Sequence, residues 1–150
     1  MDRFMLRLSI GYPDHADAIE MVRRKQSGMS PDEVGQVVSR AEMMQIRREA
    51  EAVYVKDNVI EYIVTLCERT RTDSRILQGA SPRATLALTA LSKATAWIQG
   101  RDYVLPRDVR FVFQDCIEHR LIWTPELARS GERFAVLGEI FDSVPAPAIR

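Results

Sequence analysis

Hydrophobic and polar positions follow a helical period along most of the chain. Apolar residues recur every three or four positions in successive stretches that Ser, Asp, Gly or Pro separate. This spacing places apolar side chains on one face of a helix. It predicts helices near residues 40–52, 58–71, 82–99, 106–121 and 132–142. The predicted inner faces are Met43, Ile46 and Ala50; Ile60, Ile63 and Cys67; Ala87, Ala90, Leu91, Ala94 and Ile98; Val109, Val112, Phe113, Cys116 and Arg120 or Leu121; and Phe134, Leu137, Ile140 and Phe141.

The N-terminal part has a different pattern. Apolar residues at positions 4, 6, 8 and 10 alternate with residues 5, 7 and 9, and a period of two predicts a strand. A single strand cannot satisfy its own backbone. We therefore expect a fragment of a longer protein whose sheet lies upstream, with residues 2–12 disordered or paired with a second copy. Asp14 is predicted to cap a helix that ends near Gln26, and residues 27–38 are predicted to form a loop. Asp57 is predicted to cap the helix over residues 58–71.

The segment from Gly79 to Ala84 combines strong signals for a helix start. Ser81 is a typical N-cap, Pro82 suits the first helical position, and Arg83 follows in the first turn. An arginine beside the free N–H groups of a helix attracts anions such as phosphate. The same residues also fit a structural helix whose arginine is solvated or paired with a carboxylate, so this segment alone leaves both interpretations open.

Composition and charge exclude several classes of protein. The 150 residues suit one domain, and 46% hydrophobic with 28% charged residues is ordinary for a globular chain. Because 21 basic residues balance 21 acidic ones, neither nucleic acid nor an anionic membrane is an expected partner. No apolar run approaches the ~20 residues of a membrane span, and no signal peptide is recognisable. A cytoplasmic location is expected.

Residues for common catalytic chemistries are missing from the sequence. Cys67 and Cys116 lie on apolar faces and are predicted to be buried free thiols. His15 and His119 are the only histidines, so no metal site is predicted, and His119 is expected to be structural. The chain has neither a Walker phosphate loop nor a G-x-S-x-G elbow. We therefore expect no complete active site in this chain.

Five segments together resemble the C-terminal part of a MoxR-type AAA+ ATPase. They are DRFMLRLSIGYP (2–13), GASPRATLAL (79–88), GRDYVLPRDV (100–109), HRL (119–121) and DSVPAP (142–147), in the order and spacing of that family. The resemblance implies an all-α helical bundle, the AAA+ lid domain, with a short remnant strand of the ATPase core at the N-terminus. Leu105 departs from the hydroxyl residue common at its position, which puts the first turn of the Pro106 helix in question. The nucleotide-binding core is absent from the sequence.

The resemblance also implies a division of the chain and roles for single residues. Residues 1–13 would end the AAA+ core, residues 14–38 would form a linker helix and loop, and residues 39–150 would be the lid. Arg83 matches the sensor-2 arginine, which contacts the γ-phosphate of ATP, with Ser81 and Pro82 beside it in the nucleotide-binding segment. Arg3 matches the arginine finger, which acts on the nucleotide of the adjacent subunit.

Cofactors and partners follow from the resemblance in the same way. The full-length parent would use ATP and Mg²⁺, assemble into a ring of six subunits, and remodel protein complexes as a chaperone, in some cases with a von Willebrand factor A domain protein. The chain alone would bind no cofactor and catalyse nothing. Two other classes of function remain open. One is a helical adaptor that binds proteins around Trp97 or Phe134. The other, disfavoured by the neutral charge, is a nucleic-acid module that uses Arg23, Arg24, Lys25, Arg47 and Arg48.

Overall fold

The computed structural model describes residues 3–28 and 35–148, and helices dominate it. The helices are α1 (His15–Gln26), α2 (Arg40–Ala52), α3 (Asp57–Thr72), α4 (Pro82–Ile98), α5 (Pro106–Ile117), α6 (Pro125–Ser130) and α7 (Arg133–Asp142). A 3₁₀ turn, Glu118–Arg120, follows α5 directly. The predicted all-α class is confirmed. The helix predicted over 106–121 ends as an α-helix at Ile117 and continues as the 3₁₀ turn, whereas α6 had no clear signal in the sequence.

The strands of the described residues lie where no strand was predicted. β1 (Ile76–Gln78) pairs with β2 (Ile122–Trp123) in an antiparallel register, Ile76 opposite Trp123. The predicted strand over residues 4–10 is wrong, because none of residues 3–12 is assigned to a strand. The expectation that residues 2–12 are disordered or paired with a second copy stays a prediction. In the described chain, the Phe4 carbonyl and the Arg7 N–H lie against the 3₁₀ turn and the end of α5.

The starts of the first three helices show how far capping can be inferred from sequence. Asp14 caps α1 by accepting a hydrogen bond from the Asp17 N–H at 2.8 Å. Ser39 and Glu42 form the reciprocal capping box of α2. The prediction for α3 is wrong by one residue, because Lys56 is the N-cap and Asp57 is already helical. A carboxylate is favourable both at the N-cap, where it accepts a hydrogen bond, and in the first turn, where it interacts with the helix dipole. The sequence alone therefore does not separate these two positions.

The hydrophobic core begins at Val53 and is built from α3, α4, α5 and α7. Phe141 of α7 packs against Phe113 and Tyr62, with ring centroids 5.4 and 5.8 Å apart. Burial raises the pKa of Tyr62 to about 12. The predicted inner face of α5 is confirmed: Val109, Val112, Phe113 and Cys116 are buried. Cys67 and Cys116 are buried free thiols, also as predicted.

The predicted inner face of α4 is partly wrong. Ala90 and Ile98 are exposed, Ile98 to 76%, while Ser92 and Thr95 are buried. The reason is that α4 contacts α2, α3 and α5, so no single stripe defines its inside. The hydroxyls of Ser92 and Thr95 donate to backbone carbonyls one turn earlier and can therefore be buried. Three other residues predicted to face inward are also exposed: Met43, Ile60 and Phe134.

Helices α1 and α2 lie outside this core, and neither contains a fully buried residue. α2 contacts α4 through polar bonds: the Trp97 indole donates to Glu49 at 3.1 Å, and Lys93 donates to the Glu51 carbonyl at 2.9 Å. Within residues 3–28 and 35–148, no helix has the length and apolar character needed to cross a bilayer.

Candidate functional site

The loop that leads into α4 lies directly against α3. A Cβ atom on Gly79 would lie 2.6 Å from the Cα and 2.7 Å from the backbone N of Arg71. Real Cβ atoms do not approach backbone atoms so closely, so only glycine fits here. Gly79 therefore allows a close contact between loop and helix, rather than supplying an unusual backbone angle.

Two residues of α3 hold Ala80, the residue after this glycine. The Thr70 hydroxyl accepts a hydrogen bond from the Ala80 N–H at 2.9 Å and donates to the Cys67 carbonyl at 2.6 Å. Arg71 Nε donates to the Ala80 carbonyl at 2.8 Å. Thr70 and Ala80 are both buried, so these bonds are shielded from water. They fix the entry of α4 relative to α3.

The first turn of α4 keeps the positive character of a helix start. Ser81 Oγ accepts a hydrogen bond from the Ala84 N–H at 3.3 Å, and Pro82 occupies the first helical position, both as predicted. The first turn contains no acidic residue. Because the N-terminal N–H groups and the helix dipole carry partial positive charge, this end of α4 favours an anion.

Arg83 adds a full positive charge to that end. Its side chain is exposed, while Ala84 beside it and Ala87 one turn later are buried. Within the described part of the chain, no hydrogen bond or ion pair of its guanidinium is found. A guanidinium is planar and permanently charged, and it can bind two oxygens of one phosphate. The structure thus places Arg83 at an open helix start in contact with solvent.

Two other arginines near the ends of these helices have carboxylate partners. Arg75 donates to Asp73 at 2.8 Å and to Glu139 of α7 at 2.6 Å, and the Arg75 hydrogen bonds hold the pKa of Asp73 below its usual range. Arg101 donates to both oxygens of Asp108 at 2.5 and 2.7 Å, and this raises the pKa of Arg101. Neither set of contacts was predicted from the sequence, because Glu139 reaches Arg75, and Asp108 reaches Arg101, only in the folded chain.

The pair between Arg101 and Asp108 also answers the question raised by Leu105. The first turn of α5 forms although Leu105 offers no side-chain cap. The buried Asp108 carboxylate accepts a hydrogen bond from the Leu105 N–H at 2.7 Å. The side chain of the third helical residue thus bonds to the backbone of the N-cap residue, which is one half of a capping box.

Arg3, the second predicted site residue, is exposed at the start of the described chain. No hydrogen bond or ion pair joins it to Arg83 among the described residues. Its neighbour Phe4 is bonded to the 3₁₀ turn. The His119 ring lies 3.0 Å from the Phe4 carbonyl and 3.1 Å from that of Asp115. These backbone contacts are those of a structural histidine, as predicted.

The described residues do not offer a magnesium site. No group of three or more His, Cys, Asp or Glu side chains in residues 3–28 and 35–148 is placed to hold a metal ion.

Comparison with known proteins identifies the helical unit. Residues 68–137 match the AAA lid domain family. The chain is 30% identical to the chaperone MoxR1 of Mycobacterium tuberculosis over 158 residues, covering 99% of this chain and 41% of MoxR1. The chain carries an AAA lid of the MoxR type. It is also 28% identical to the uncharacterized protein YeaC of Bacillus subtilis, with 100% of this chain and 47% of YeaC covered.

A solved structure extends the match of this MoxR-type lid to three dimensions. The crystal structure of a candidate ATPase from Cytophaga hutchinsonii superposes with a TM-score of 0.86 and 31% identity. The match covers 98% of this chain and 48% of that one. The chain thus spans about half the length, or less, of the proteins it matches.

Proposed function

We propose that this chain acts as the lid of a MoxR-type AAA+ ATPase, closing over ATP and coupling its hydrolysis to chaperone-like remodelling or maturation of protein complexes. The observation that supports this most is the exposed Arg83 at a helix start that has no acidic residue in its first turn and is fixed to α3. The similarity to a relative named a chaperone supports the remodelling role.

The physical role of Arg83 in this proposal is to bind the terminal phosphate. A transferring phosphoryl group spreads its charge over its oxygens, and a fixed guanidinium stabilises that charge. An ATPase core would supply the phosphate loop and the Mg²⁺ that neutralises the β- and γ-oxygens. When the γ-phosphate leaves, Arg83 loses its anion, and the lid no longer has that contact to hold it closed. Hydrolysis is thereby coupled to opening of the lid.

The division of the chain proposed with this function has three parts. Residues 1–13 end the AAA+ core, residues 14–38 link it to the lid, and residues 39–150 form the lid. Arg3 acts as the arginine finger toward a neighbouring subunit in a ring of six. A von Willebrand factor A domain protein is the proposed partner of the ring.

The two alternative functions have less support in the structure. Trp97 is half-buried and bonded to Glu49, so it does not form an open adaptor surface, and only Phe134, which is 50% exposed, stays available for one. Arg24 and Arg47, from the two basic clusters, pair with Glu20 and Glu51 one turn away on their own helices. Paired charges of this kind do not form a continuous basic surface for nucleic acid.

The decisive experiment measures ATP turnover in a protein that joins this chain to its AAA+ core. Arg83→Ala should lower the turnover number by roughly 10²- to 10³-fold, the usual effect of losing one stabilising donor. The matched control is Arg107→Ala, because Arg107 is exposed and also follows a proline at the start of a helix. Turnover that survives Arg83→Ala, or that falls equally in both variants, would overturn the proposal.

A mixing experiment tests the role proposed for Arg3. Arg3→Ala should reduce turnover by roughly 10³-fold or more, the lower end of the effect of an arginine finger. If Arg3 acts on the neighbouring subunit, rings that combine Arg3→Ala subunits with subunits defective in phosphate binding should recover activity. Absence of recovery would contradict action between subunits.

A further inference from the structure

The segment that carries Arg3 is bonded to the 3₁₀ turn at residues 118–120, more than a hundred positions away in sequence. The Phe4 carbonyl accepts a hydrogen bond from Arg120 Nη2 at 2.5 Å, and His119 Nε2 lies 3.0 Å from the same oxygen. The Arg7 N–H donates to the Asp115 carbonyl at 3.1 Å. Both ends of the segment from Phe4 to Arg7 are therefore attached to the end of α5.

A buried carboxylate adds an ionic contact to this attachment. Glu118 is only 6% exposed. One of its oxygens accepts from Arg7 Nη1 at 3.2 Å, and the other accepts from Arg133 Nη1 of α7 at 3.1 Å. A buried carboxylate requires charged or polar partners, and Arg7 supplies one of them from the N-terminal segment.

Hydrophobic burial explains only a small part of why the segment lies there. Phe4 remains 70% exposed and Met5 48% exposed, and of the apolar side chains in the segment only Leu6 is half-buried. The contacts named above are directional hydrogen bonds and an ion pair. Bonds of this type fix the position and orientation of a segment more than they add stability.

We propose that the 118–120 turn positions Arg3, so that movement of the lid also moves the arginine finger. Arg3 directly precedes Phe4 in the chain, and the Phe4 carbonyl is in contact with His119 and Arg120. The proposal rests on the finger role of Arg3 argued above. In this arrangement Arg83 responds to the γ-phosphate by moving the lid, and the lid displaces Arg3. Glu118, His119 and Arg120 are positioning residues and do not touch the nucleotide.

The attachment itself can be measured on the present chain by amide hydrogen exchange. The Arg7 amide should be protected, and His119→Ala should lower its protection factor roughly threefold to tenfold, the equivalent of one hydrogen bond. The other histidine provides the control, since His15 is exposed on α1 and His15→Ala should leave Arg7 unchanged. An unprotected Arg7 amide in the parent chain, or equal protection in both variants, would overturn the proposal. Loss of protection throughout α3 would show unfolding and also count against it.

The positioning role is tested by ATP turnover in the protein that contains the core. Arg7→Gln should lower kcat roughly threefold to tenfold with an unchanged KM for ATP, and Arg7→Lys, which keeps the charge that Glu118 binds, should restore it. Arg3→Ala is the reference. If Arg3→Ala abolishes turnover but Arg7→Gln does not reduce it, the positioning role is wrong and the finger role stands. If Arg3→Ala has no effect, the finger role fails, while the exchange experiment still reports the attachment.

Discussion

Two helices of this lid begin with the same dipeptide, but the charged groups around their N-termini differ. Pro82-Arg83 starts α4 and Pro106-Arg107 starts α5, with both arginines exposed. At α5 the third helical residue is Asp108, a buried carboxylate that binds the Leu105 N–H and Arg101. At α4 the third residue is Ala84, and the first turn has no acid.

The difference separates a structural helix start from one suited to a ligand. A protein carboxylate already neutralises the positive end of α5, so that end has little affinity left for an external anion. The first turn of α4 contains no acidic residue that would compensate its positive end, and Arg83 adds a full positive charge there. An exposed arginine at a helix start is therefore not itself a phosphate signal. The combination with an acid-free first turn is what favours phosphate at α4.

The largest expected effect comes from breaking the pair that closes α5. Asp108→Ala should cost about 3–5 kcal/mol of unfolding free energy, because it leaves the guanidinium of Arg101 without its carboxylate at a side chain only 13% exposed. Urea denaturation measures this loss. Asp102→Ala, an exposed aspartate in the same loop, is the control and should stay within about 0.5 kcal/mol. A loss below about 1 kcal/mol for Asp108→Ala would mean that the pair does not hold the helix start.

The next effect concerns the close contact beneath α4. Gly79→Ala should destabilise the chain by about 1–3 kcal/mol, because the new methyl group overlaps the backbone of Arg71. Gly35→Ala provides the comparison, since a Cβ there meets nothing within 4 Å. Thermal unfolding of the two variants should differ clearly. Equal melting temperatures would show that the loop can move away from α3.

A smaller effect should follow from removing the cap of α4. Ser81→Ala should cost about 1 kcal/mol, the usual value for an N-cap hydroxyl. The Ala84 N–H, which donates to Ser81 Oγ at 3.3 Å, would keep only its 2.9 Å contact with the Ser81 carbonyl. Unfolding free energies from urea titration measure the change. A stability equal to that of the parent chain would indicate that Pro82 alone sets the helix start.

The smallest effects on stability are expected at the two exposed arginines. Arg83→Ala and Arg107→Ala should each change the unfolding free energy by no more than about 0.5 kcal/mol, because neither side chain has a bonded partner among the described residues. The same titrations test this. A loss of more than about 1 kcal/mol at Arg83 would favour a structural role for that residue over a ligand contact.

The sequence predicted well those features that neighbouring residues determine. The caps of α1, α2 and α4 depend on residues three positions apart, and the inner face of α5 depends on one strongly amphipathic helix. The open position of Arg83 follows partly from the same local signals, because Ser81 and Pro82 place it in the first turn. Its lack of a partner could not be inferred from sequence.

The features that the sequence did not predict depend on distant contacts. β1 and β2 contain only three and two residues, too few for a recognisable alternation. The face of α4 was misassigned because that helix is rich in small residues and contacts three others. Residues 4–10 show the opposite error: their alternation is that of a strand, but the described chain places no partner strand beside them. The pattern of apolar residues gives a conformational preference, and contacts with neighbouring elements of the fold determine which conformation forms.

The most direct test of the central claim is whether Arg83 distinguishes ATP from ADP. In the protein that contains the core, the dissociation constants of a non-hydrolysable ATP analogue and of ADP should be measured for the parent, Arg83→Ala and Arg107→Ala. We expect Arg83→Ala to weaken binding of the ATP analogue by roughly tenfold or more, the value of a hydrogen bond to a charged group, with ADP unaffected and Arg107→Ala without effect on either. Equal weakening of both nucleotides by Arg83→Ala, or no weakening of the ATP analogue, would contradict the claim that Arg83 binds the γ-phosphate.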